Sequence, residues 1–354
     1  SGVLFVGVVK TVDLSAAGVA NSYMASVKET NYLFDVMHKG DGSPLATDHL
    51  GVIWKSASGL VQYLQMENGK ASFYIGADTE DSNKILKGNA VIGAYDANDE
   101  LIWSWHVWAT DYDPEGENAS VELNGYTMMT RNLGALANGN ATTSEILASY
   151  GLYYQWGRKD PFQGPYTWMM FLNANAGWSN DGIGKFMTLK GLASTKVPSE
   201  NLVASVQQPY RYIVGISGTQ DWLSPDVGGE AYRWSNADGT KGVFDPCPEG
   251  WRVPVSGAGA ASAWADLNGV WDAERTGCVF AEGNGYYPAA GYINIMSASG
   301  SGGGAEAGTS GYCWSASSAG RNGYALTYSV SAIKTEAELT KAWACPVRCV
   351  KDVK

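Results

Sequence analysis

Short apolar segments separated by polar turns run through the first third of the chain. β-Branched and aromatic residues dominate these segments, and turn signals such as Asn68-Gly69 and the polar run 96–99 separate them. About seven such segments fall within about 110 residues, and none of them needs a helix of ordinary length. The pattern therefore predicts an all-β, immunoglobulin-like sandwich over residues 1–111.

The last of these segments, residues 100–111, carries the clearest alternation of side chains. Successive side chains of an extended strand point to opposite faces of the sheet. One face is expected to carry Leu101, Trp103, Trp105 and Val107, and the other Ile102, Ser104, His106 and Trp108. The preceding segment, residues 89–96, is expected to pair with this strand as a hairpin.

The pattern changes after the polar segment 110–120, which lacks apolar periodicity and is the expected domain boundary. The remaining residues, 112–354, combine short strands and short helices with stretches rich in Gly, Asn, Asp and Ser. Three of these stretches are expected to be long loops, at residues 173–184, 215–242 and 297–311. Such a mixture predicts an α+β domain whose function is carried on loops.

Two short helices are predicted in this second domain. Thr142 and Glu145 have the spacing of a capping box at the start of the first helix. Gly151 is a suitable residue to end it. A second helix is expected over residues 256–269, after Pro254.

Composition narrows the class of protein. At 354 residues the chain is longer than one core usually serves, so two domains are expected. The net charge is −11 and Lys and Arg are not clustered, which argues against nucleic acid as a partner. A low charged fraction, 17%, with 14 Trp and 20 Tyr is typical of extracellular binding modules.

No segment of the sequence is expected to span a membrane. Uninterrupted apolar runs stay well below the roughly 18 residues that a spanning helix needs. No basic segment precedes the apolar start, so no signal peptide is expected in the printed sequence. The numbering then starts either after processing or within a longer protein.

All five cysteines lie in the C-terminal third, at Cys247, Cys278, Cys313, Cys345 and Cys349. They form no CxxC pair, and the three histidines lie far upstream, so neither a zinc site nor another cofactor is expected. Two interpretations remain open. The thiols are free core residues, or at least one pair forms a disulfide in an oxidising compartment.

Several motifs beyond residue 112 occur in a familiar order. They are TRNLGA (130–135), YGLYYQWGRKDPF (150–162), FDPCPEGWRVP (244–254), YCWSAS (312–317) and CPVRCVKD (345–352). Together they resemble the Fibrobacter succinogenes major paralogous domain, found in surface proteins of gut anaerobes, and the resemblance covers about residues 112–354. The upstream residues resemble the β-domain that often precedes it.

The resemblance implies a C-type-lectin-like fold for residues 112–354. It also implies a disulfide between Cys247 and Cys349, as in the lectin-like fold. In the chain-entropy model a bond closing a loop of about 100 residues is worth roughly 4–5 kcal/mol. The resemblance assigns no partner to Cys278, Cys313 or Cys345.

Proteins with this layout resemble fimbrial, pilus-tip and other adhesin-like proteins at the outer cell surface. The resemblance thus implies an extracellular protein that binds a glycan, a host protein or another fimbrial subunit. An alternative is a structural pilus subunit without a soluble ligand, which exposed strand edges in the first 110 residues would favour. A surface enzyme is a third hypothesis, and its redox version would need Cys345 and Cys349 to be reactive and exposed.

The calcium chemistry of lectins is not expected to accompany the fold. The strand that should carry calcium ligands reads Trp314-Ser315-Ala316-Ser317, which offers none of the carboxylate oxygens that calcium prefers. Asp96, Asn98 and Glu100 alternate like a fragment of a calcium loop, but the other ligands of such a loop are absent. A hairpin turn is expected there, and no metal site.

Two loops combine an aromatic ring with amide and carboxylate groups, as a sugar-binding site requires. The first offers Trp178, Asn180 and Asp181, and the second Trp234, Asn236 and Asp238. These six residues are the candidate ligand-binding residues. The competing interpretation is that the tryptophans fill the core and that the Asn-Asp-Gly runs form turns.

No catalytic residues are predicted, and the chain is not expected to be an enzyme. The sequence offers no phosphate-binding loop, and no histidine follows the boundary segment to serve as a base beside a nucleophile. Arg158, Lys159 and Asp160 follow an aromatic strand and would suit an anion clamp. The favoured interpretation of these three residues is a structural ion pair.

Overall fold

The computed structural model describes residues 9–164, 177–181, 184–216, 220–224, 230–257, 259, 262–281, 285–299, 301–302 and 304–353. Within these, it describes only the backbone of residues 177–181, 184–188 and 301–302. Strands make up 40% of the chain and helices 5%, so the fold is β-rich, as predicted. None of the helices in the described ranges is long and apolar enough to cross a membrane.

The N-terminal part is a sandwich of two four-stranded sheets, whose strands are numbered here in chain order. The first sheet has the order β1 (Lys10–Asp13), β3 (Thr30–Asp35), β6 (Lys70–Ile75) and β5 (Gln62–Glu67). The second has the order β2 (Ser22–Ala25), β8 (Leu101–Ala109), β7 (Gly88–Tyr95) and β4 (His49–Lys55).

The two sheets bury their facing sides in one core. Phe34 of β3 and Trp105 of β8 meet across the sandwich, with ring centroids 5.5 Å apart. Phe73 and Ile92 belong to the same buried cluster. Apolar side chains of both sheets therefore face one shared core, which explains the alternation of apolar residues along the strands.

Strand β8 is buried on both faces. Trp103 and Trp105 lie in the sandwich core, while Trp108 points the other way and donates its indole N–H to the carbonyl of Ala135 at 3.0 Å. The alternation therefore extends to a second buried face, which the C-terminal part of the chain covers.

The predicted facing fails at the start of β8. Tyr95 pairs with Leu101 and Ala94 with Trp103, so the register shifts by one residue between them. This bulge places Leu101 in the core shared with the C-terminal part and packs Ile102 against the sandwich core, the reverse of the prediction. The preceding residues do form the predicted turn, since Asp96 Oδ1 accepts hydrogen bonds from the amides of Asn98 and Glu100.

The C-terminal part consists of small sheets. One has the order β15 (Trp251–Arg252), β26 (Val350–Lys351), β10 (Tyr126–Met129) and β9 (Ser120–Leu123), and a second β11 (Tyr154–Gln155), β25 (Ala344–Cys345), β19 (Tyr292–Ile293) and β21 (Gly304–Ala305). A third joins β12 (Gly177–Asp181), β13 (Gly184–Ala193) and β14 (Tyr212–Val214), with β20 (Ser301–Gly302) beside β13. Two three-stranded sheets complete the C-terminal part. One has the order β16 (Val270–Asp272), β17 (Gly277–Val279) and β18 (Tyr286–Pro288). The other has the order β22 (Ser310–Ala319), β23 (Asn322–Ser329) and β24 (Ile333–Thr340).

Two helices lie in the described part of this region, α1 (Thr143–Ser149) and α2 (Pro198–Gln207). Helix α1 confirms the first predicted helix, and Gly151 follows its end with a φ of 73°. The expected capping bond is absent, because the Thr142 side chain makes no cap hydrogen bond. Helix α2 lies outside the predicted helices.

The second predicted helix, over residues 256–269, was wrong. The described residues there form turns, in which Ala265 and Leu267 donate to carbonyls three residues earlier. The side-chain amide of Asn124 donates to the carbonyls of Ala263 and Ala265 at 3.1 and 2.7 Å. A distant side chain therefore occupies the carbonyls that a helix would have used. The predicted loop 173–184 is also partly wrong, because it contains β12.

A disulfide joins Cys247 to Cys349, as the resemblance implied, across 102 residues of sequence. Cys349 directly precedes β26, and β26 pairs with β15 just beyond Cys247. Covalent and backbone bonds therefore hold the end of the described chain against its middle.

The other three cysteines, Cys278, Cys313 and Cys345, are buried free thiols. Burial raises the pKa of Cys278 to about 11 and that of Cys313 to about 12, and it raises the pKa of Cys345 well above its usual value. Thiols of this kind are mostly protonated at neutral pH and are poor nucleophiles. The exposed, reactive pair that the redox hypothesis needs is therefore not formed by Cys345 and Cys349.

The two parts of the chain are joined by buried polar contacts as well as by a shared core. Asn21 donates to the carbonyls of Val243 and Asp245, both at 2.8 Å, and Ser22 donates to that of Pro246 at 2.7 Å. The side-chain amide of Asn89, in the sandwich, donates to the carbonyl of Gly134 in the C-terminal part at 2.9 Å. The predicted boundary at 111/112 stays a prediction, since side chains from both sides of it pack in one cluster.

The buried His106 leads to a pH-dependent prediction. Its Nε2 lies 2.8 Å from Asn89 Oδ1, which can only accept, so Nε2 carries the proton of a neutral ring. Burial lowers the pKa of His106 to about 3, whereas the pKa of a histidine in an unfolded chain is about 6.5. Between these two values the unfolded chain binds a proton at His106 that the folded protein does not. The free energy of unfolding is therefore highest above about pH 6.5 and falls as the pH drops towards 3. We expect the free energy of unfolding to drop by a few kcal/mol, on the order of 1.4 kcal/mol per unit of pKa difference.

Urea unfolding of the wild type and of His106→Gln at several pH values between 7 and 4 tests this. Gln can donate to Asn89 without titrating, so its unfolding free energy should fall less steeply on acidification. Burial also raises the pKa of Asp245 to about 6, which acts in the opposite sense but equally in both proteins. Parallel profiles for the two proteins would contradict the prediction.

Candidate ligand-binding groove

The first predicted loop lies on a strand. Trp178, Asn180 and Asp181 belong to β12, whose backbone pairs with β13 as a hairpin. Their side chains lie outside the described part of the structure. Their role in ligand binding stays a prediction.

Trp234 of the second loop is a core residue, and its prediction as a ligand contact was wrong. The side chain is 1% exposed, and its indole N–H donates to the carbonyl of Arg158 at 3.0 Å. Its ring packs against Trp156 with centroids 5.8 Å apart. Neither face of the ring is open to a sugar.

Asn236 and Asp238 form an exposed turn. Asp238 Oδ1 accepts bonds from the amide and hydroxyl of Thr240, at 3.0 and 2.6 Å. Asn236 Nδ2 donates to the Thr240 hydroxyl at 3.0 Å. Asn236 also lines a shallow cavity of about 300 Å³ with Tyr232, whose ring is half-exposed. The turn interpretation is supported, and ligand binding by these two residues stays a prediction.

Arg158, Lys159 and Asp160 are buried rather than presented as a clamp. Lys159 Nζ lies 2.9 Å from an Asp160 carboxylate oxygen and donates to the carbonyl of Ser104 at 2.9 Å. The favoured interpretation as a structural ion pair is therefore confirmed, and the pair lies where β8 meets the C-terminal part.

A groove on the sheet β22–β23–β24 is the better candidate site. On one side of this sheet Cys313, Leu326 and Tyr328 pack into a core. On the other side Trp314 and Ala325 are covered by the main core. Beyond them the sheet continues uncovered.

The uncovered end of the sheet forms a groove of about 550 Å³. Cross-strand register places Tyr312 opposite Thr327, and Thr327 opposite Lys334. Its lining includes Ser310, Tyr312, Thr327, Ser329, Lys334, Glu336, Glu338, Leu339 and Trp343. We call it the aromatic groove, after Tyr312 and Trp343 in its lining.

Tyr312 and Trp343 of the aromatic groove pack together with a third ring, that of Tyr292. Trp343 stacks on Tyr292 at a centroid distance of 4.0 Å and an interplanar angle of 7°. Tyr312 meets both rings edge-on, at 5.2 and 6.1 Å. Tyr312 and Trp343 are partly exposed residues.

The buried Lys341 anchors the turn that carries Trp343. Lys341 is 1% exposed, and its ammonium group donates to the carbonyls of Gly320, at 2.7 Å, and Glu230. It also lies 4.3 Å from the centroid of the Trp156 ring. Burial lowers the pKa of Lys341 to about 8. The aromatic rings are thus held in place without a ligand, which reduces the entropy lost on binding.

Polar groups along the groove are available to a ligand. The Tyr312 hydroxyl donates to the Glu306 carboxylate, and burial together with this carboxylate raises the pKa of Tyr312. Lys334 and Glu336 are exposed and form no ion pair within the described residues. Donors and acceptors therefore stand beside the rings.

His38 and His49 each contact carboxylates rather than one another. His38 Nδ1 lies 2.9 Å from Asp35, and His49 contacts Asp48 and Asp99 at 3.1 and 3.2 Å. Among the residues that the structure describes, no three His, Cys, Asp or Glu side chains are grouped closely enough to hold a metal ion.

Sequence reasoning missed Tyr312 and Trp343 as candidates. They are 31 positions apart, and only the path of the chain from β22 to β24 and the turn after it brings them together. The alternation in IKTEAELT, which forms β24, was the one available signal for an exposed strand next to them. No family model, no curated protein and no solved structure matches the chain.

Proposed function

We propose that this chain is an extracellular, adhesin-like protein of fimbrial type that binds a glycan in the aromatic groove. The observation that carries the proposal is that the partly exposed residues Tyr312 and Trp343 line one groove together with hydroxyl and charged side chains. A sugar ring has an apolar CH face and a rim of hydroxyl groups, so it suits an aromatic surface flanked by donors and acceptors.

Further features support a surface protein with a lectin-like C-terminal domain. A disulfide is compatible with an oxidising compartment. The pairing of β26 with β15 and β10 brings the end of the described chain back to its middle, as the motif resemblance to lectin-like domains leads one to expect.

Strand edges give less support to a purely structural subunit. Edge strand β5 carries an irregularity between Gln62 and Gln65, with positive φ angles at Val61 and Tyr63. Edge strand β1 has four residues. Bulged or very short edges are poor templates for a partner strand.

A glycan array probed with purified protein, with calcium and again with a chelator, tests the proposed function. Trp343→Ala is expected to weaken binding by about tenfold or more, since losing a central aromatic contact typically costs 1.4 kcal/mol or more. Tyr63→Ala is the matched control, because Tyr63 is exposed but lies on the sandwich.

Thermal unfolding of both variants shows whether they remain folded. Wild-type binding in Trp343→Ala, or loss of binding in Tyr63→Ala alone, would contradict the groove as the site. Loss of binding in chelator would show that the site needs calcium, against the expectation from the sequence.

A further inference from the structure

We infer that the ligand of the aromatic groove is an uncharged glycan chain, contacted over more than one sugar residue along β24. The inference rests on the proposed function of the groove and adds to it the chemical class of the ligand. Shape, charge and hydroxyl placement each contribute to it.

The lining of the groove extends along β24. It runs from Lys334, opposite Thr327, to Leu339, opposite Gly323, which is four residue steps of β23 or about 13 Å at about 3.3 Å per residue. Across the sheet, the row from Tyr312 to Lys334 covers two strand spacings of about 4.8 Å each, or about 10 Å. A groove of this extent suits a run of sugar residues better than one terminal residue.

Charge in the groove disfavours an anionic ligand. Glu336 and Glu338 line it and are exposed, and Glu306 holds the Tyr312 hydroxyl. Lys334 is the cation among the described lining residues. A uronate, sialate or sulfate group would meet a surplus of carboxylates, in a protein whose net charge is −11.

Neutral hydroxyl groups find partners of both kinds. Lys334 supplies donors and Glu336 supplies acceptors two residues away on the same strand. Ser310 and Ser329 face each other across β22 and β23 at the end of the groove, and Thr327 lies next to them. These groups can orient a sugar without requiring it to carry a charge.

Native affinity gels test the charge of the ligand. Galactomannan, xylan and hydroxyethylcellulose are the neutral polymers, and polygalacturonate and chondroitin sulfate the anionic ones. We expect at least one neutral polymer to retard the wild type and neither anionic one to do so, even at low salt where screening is weak. Retardation by the anionic polymers alone would overturn the inference but leave glycan binding intact.

Charge reversal tests whether the charges in the groove determine which polymers bind. Glu336→Lys/Glu338→Lys is expected to gain retardation by polygalacturonate. Glu67→Lys/Glu80→Lys, with the same change in net charge on the sandwich, is expected not to gain it. Equal gains in both variants would mean that net charge alone selects, which would overturn the role of the groove.

Chain length is tested by competition. Using fragments of the polymer that retards the protein, we expect the hexasaccharide to compete at a concentration about tenfold or more below that of the monosaccharide, a difference of about 1.4 kcal/mol. Equal competition would overturn contact over several residues. No retardation by any polymer together with no binding on the array would instead overturn the proposed function itself.

Discussion

Replacement of Asp160 with alanine is expected to lower the free energy of unfolding by about 3–5 kcal/mol, the usual cost of leaving one charge of a buried pair without its partner. Lys159 and Asp160 have side chains 1% and 5% exposed. Without Asp160, the Lys159 ammonium keeps, among the described residues, the Ser104 oxygens and the face of Trp103, 4.5 Å away. Burial already lowers the pKa of Lys159, so the lone ammonium is costly.

Urea unfolding followed by tryptophan fluorescence measures this loss. The double variant Lys159→Met/Asp160→Ala removes both charges, and we expect it to recover part of the stability. Glu115→Ala is the exposed control, because the Lys351–Glu115 pair is about half exposed and should contribute no more than about 1 kcal/mol. An Asp160→Ala variant as stable as Glu115→Ala would contradict the prediction.

Removal of the disulfide is expected to have a comparable effect. Cys247→Ala/Cys349→Ala frees a loop defined by a sequence separation of 102 residues, which the chain-entropy model values at roughly 4–5 kcal/mol. Both sulfurs are buried, so loss of packing adds to the cost.

Unfolding of the wild type, this double variant and Cys345→Ala under non-reducing conditions checks the prediction. Cys345→Ala removes a buried sulfur but leaves the disulfide, so it measures the packing loss alone. Alkylation before and after unfolding should find three thiols in the wild type, protected while it is folded. A double variant as stable as Cys345→Ala would mean that the bond contributes little.

The sandwich could be predicted from the sequence because period-two alternation is a local signal. Residues 100–111 illustrate this signal. Trp103 and Trp105, two positions apart in the sequence, share one core, and the residues between and after them are buried on the opposite face of β8. Its limits are equally local. A bulge at the start of β8 reversed the facing of Leu101 and Ile102, and no feature of the sequence marks that bulge.

The candidate site could not be predicted in the same way, because it depends on contacts between distant residues. Trp234 precedes an exposed polar turn, and only the packing of Trp156 and the Arg158 carbonyl shows that its ring points inward. Where a helix was predicted, two carbonyls instead accept hydrogen bonds from Asn124, more than a hundred residues away. The disulfide came from the motif resemblance, since the cysteine positions alone allowed free thiols.

The joint between the two parts also determines how the protein would carry a mechanical load. Asn21 and Ser22 grip the carbonyls of Val243, Asp245 and Pro246, directly before Cys247. Cys247 is tied covalently to Cys349, a few residues beyond the turn that carries Trp343. Tension on a ligand held at Trp343 would therefore have a short covalent path, through the disulfide, to the segment that Asn21 and Ser22 bind from the sandwich.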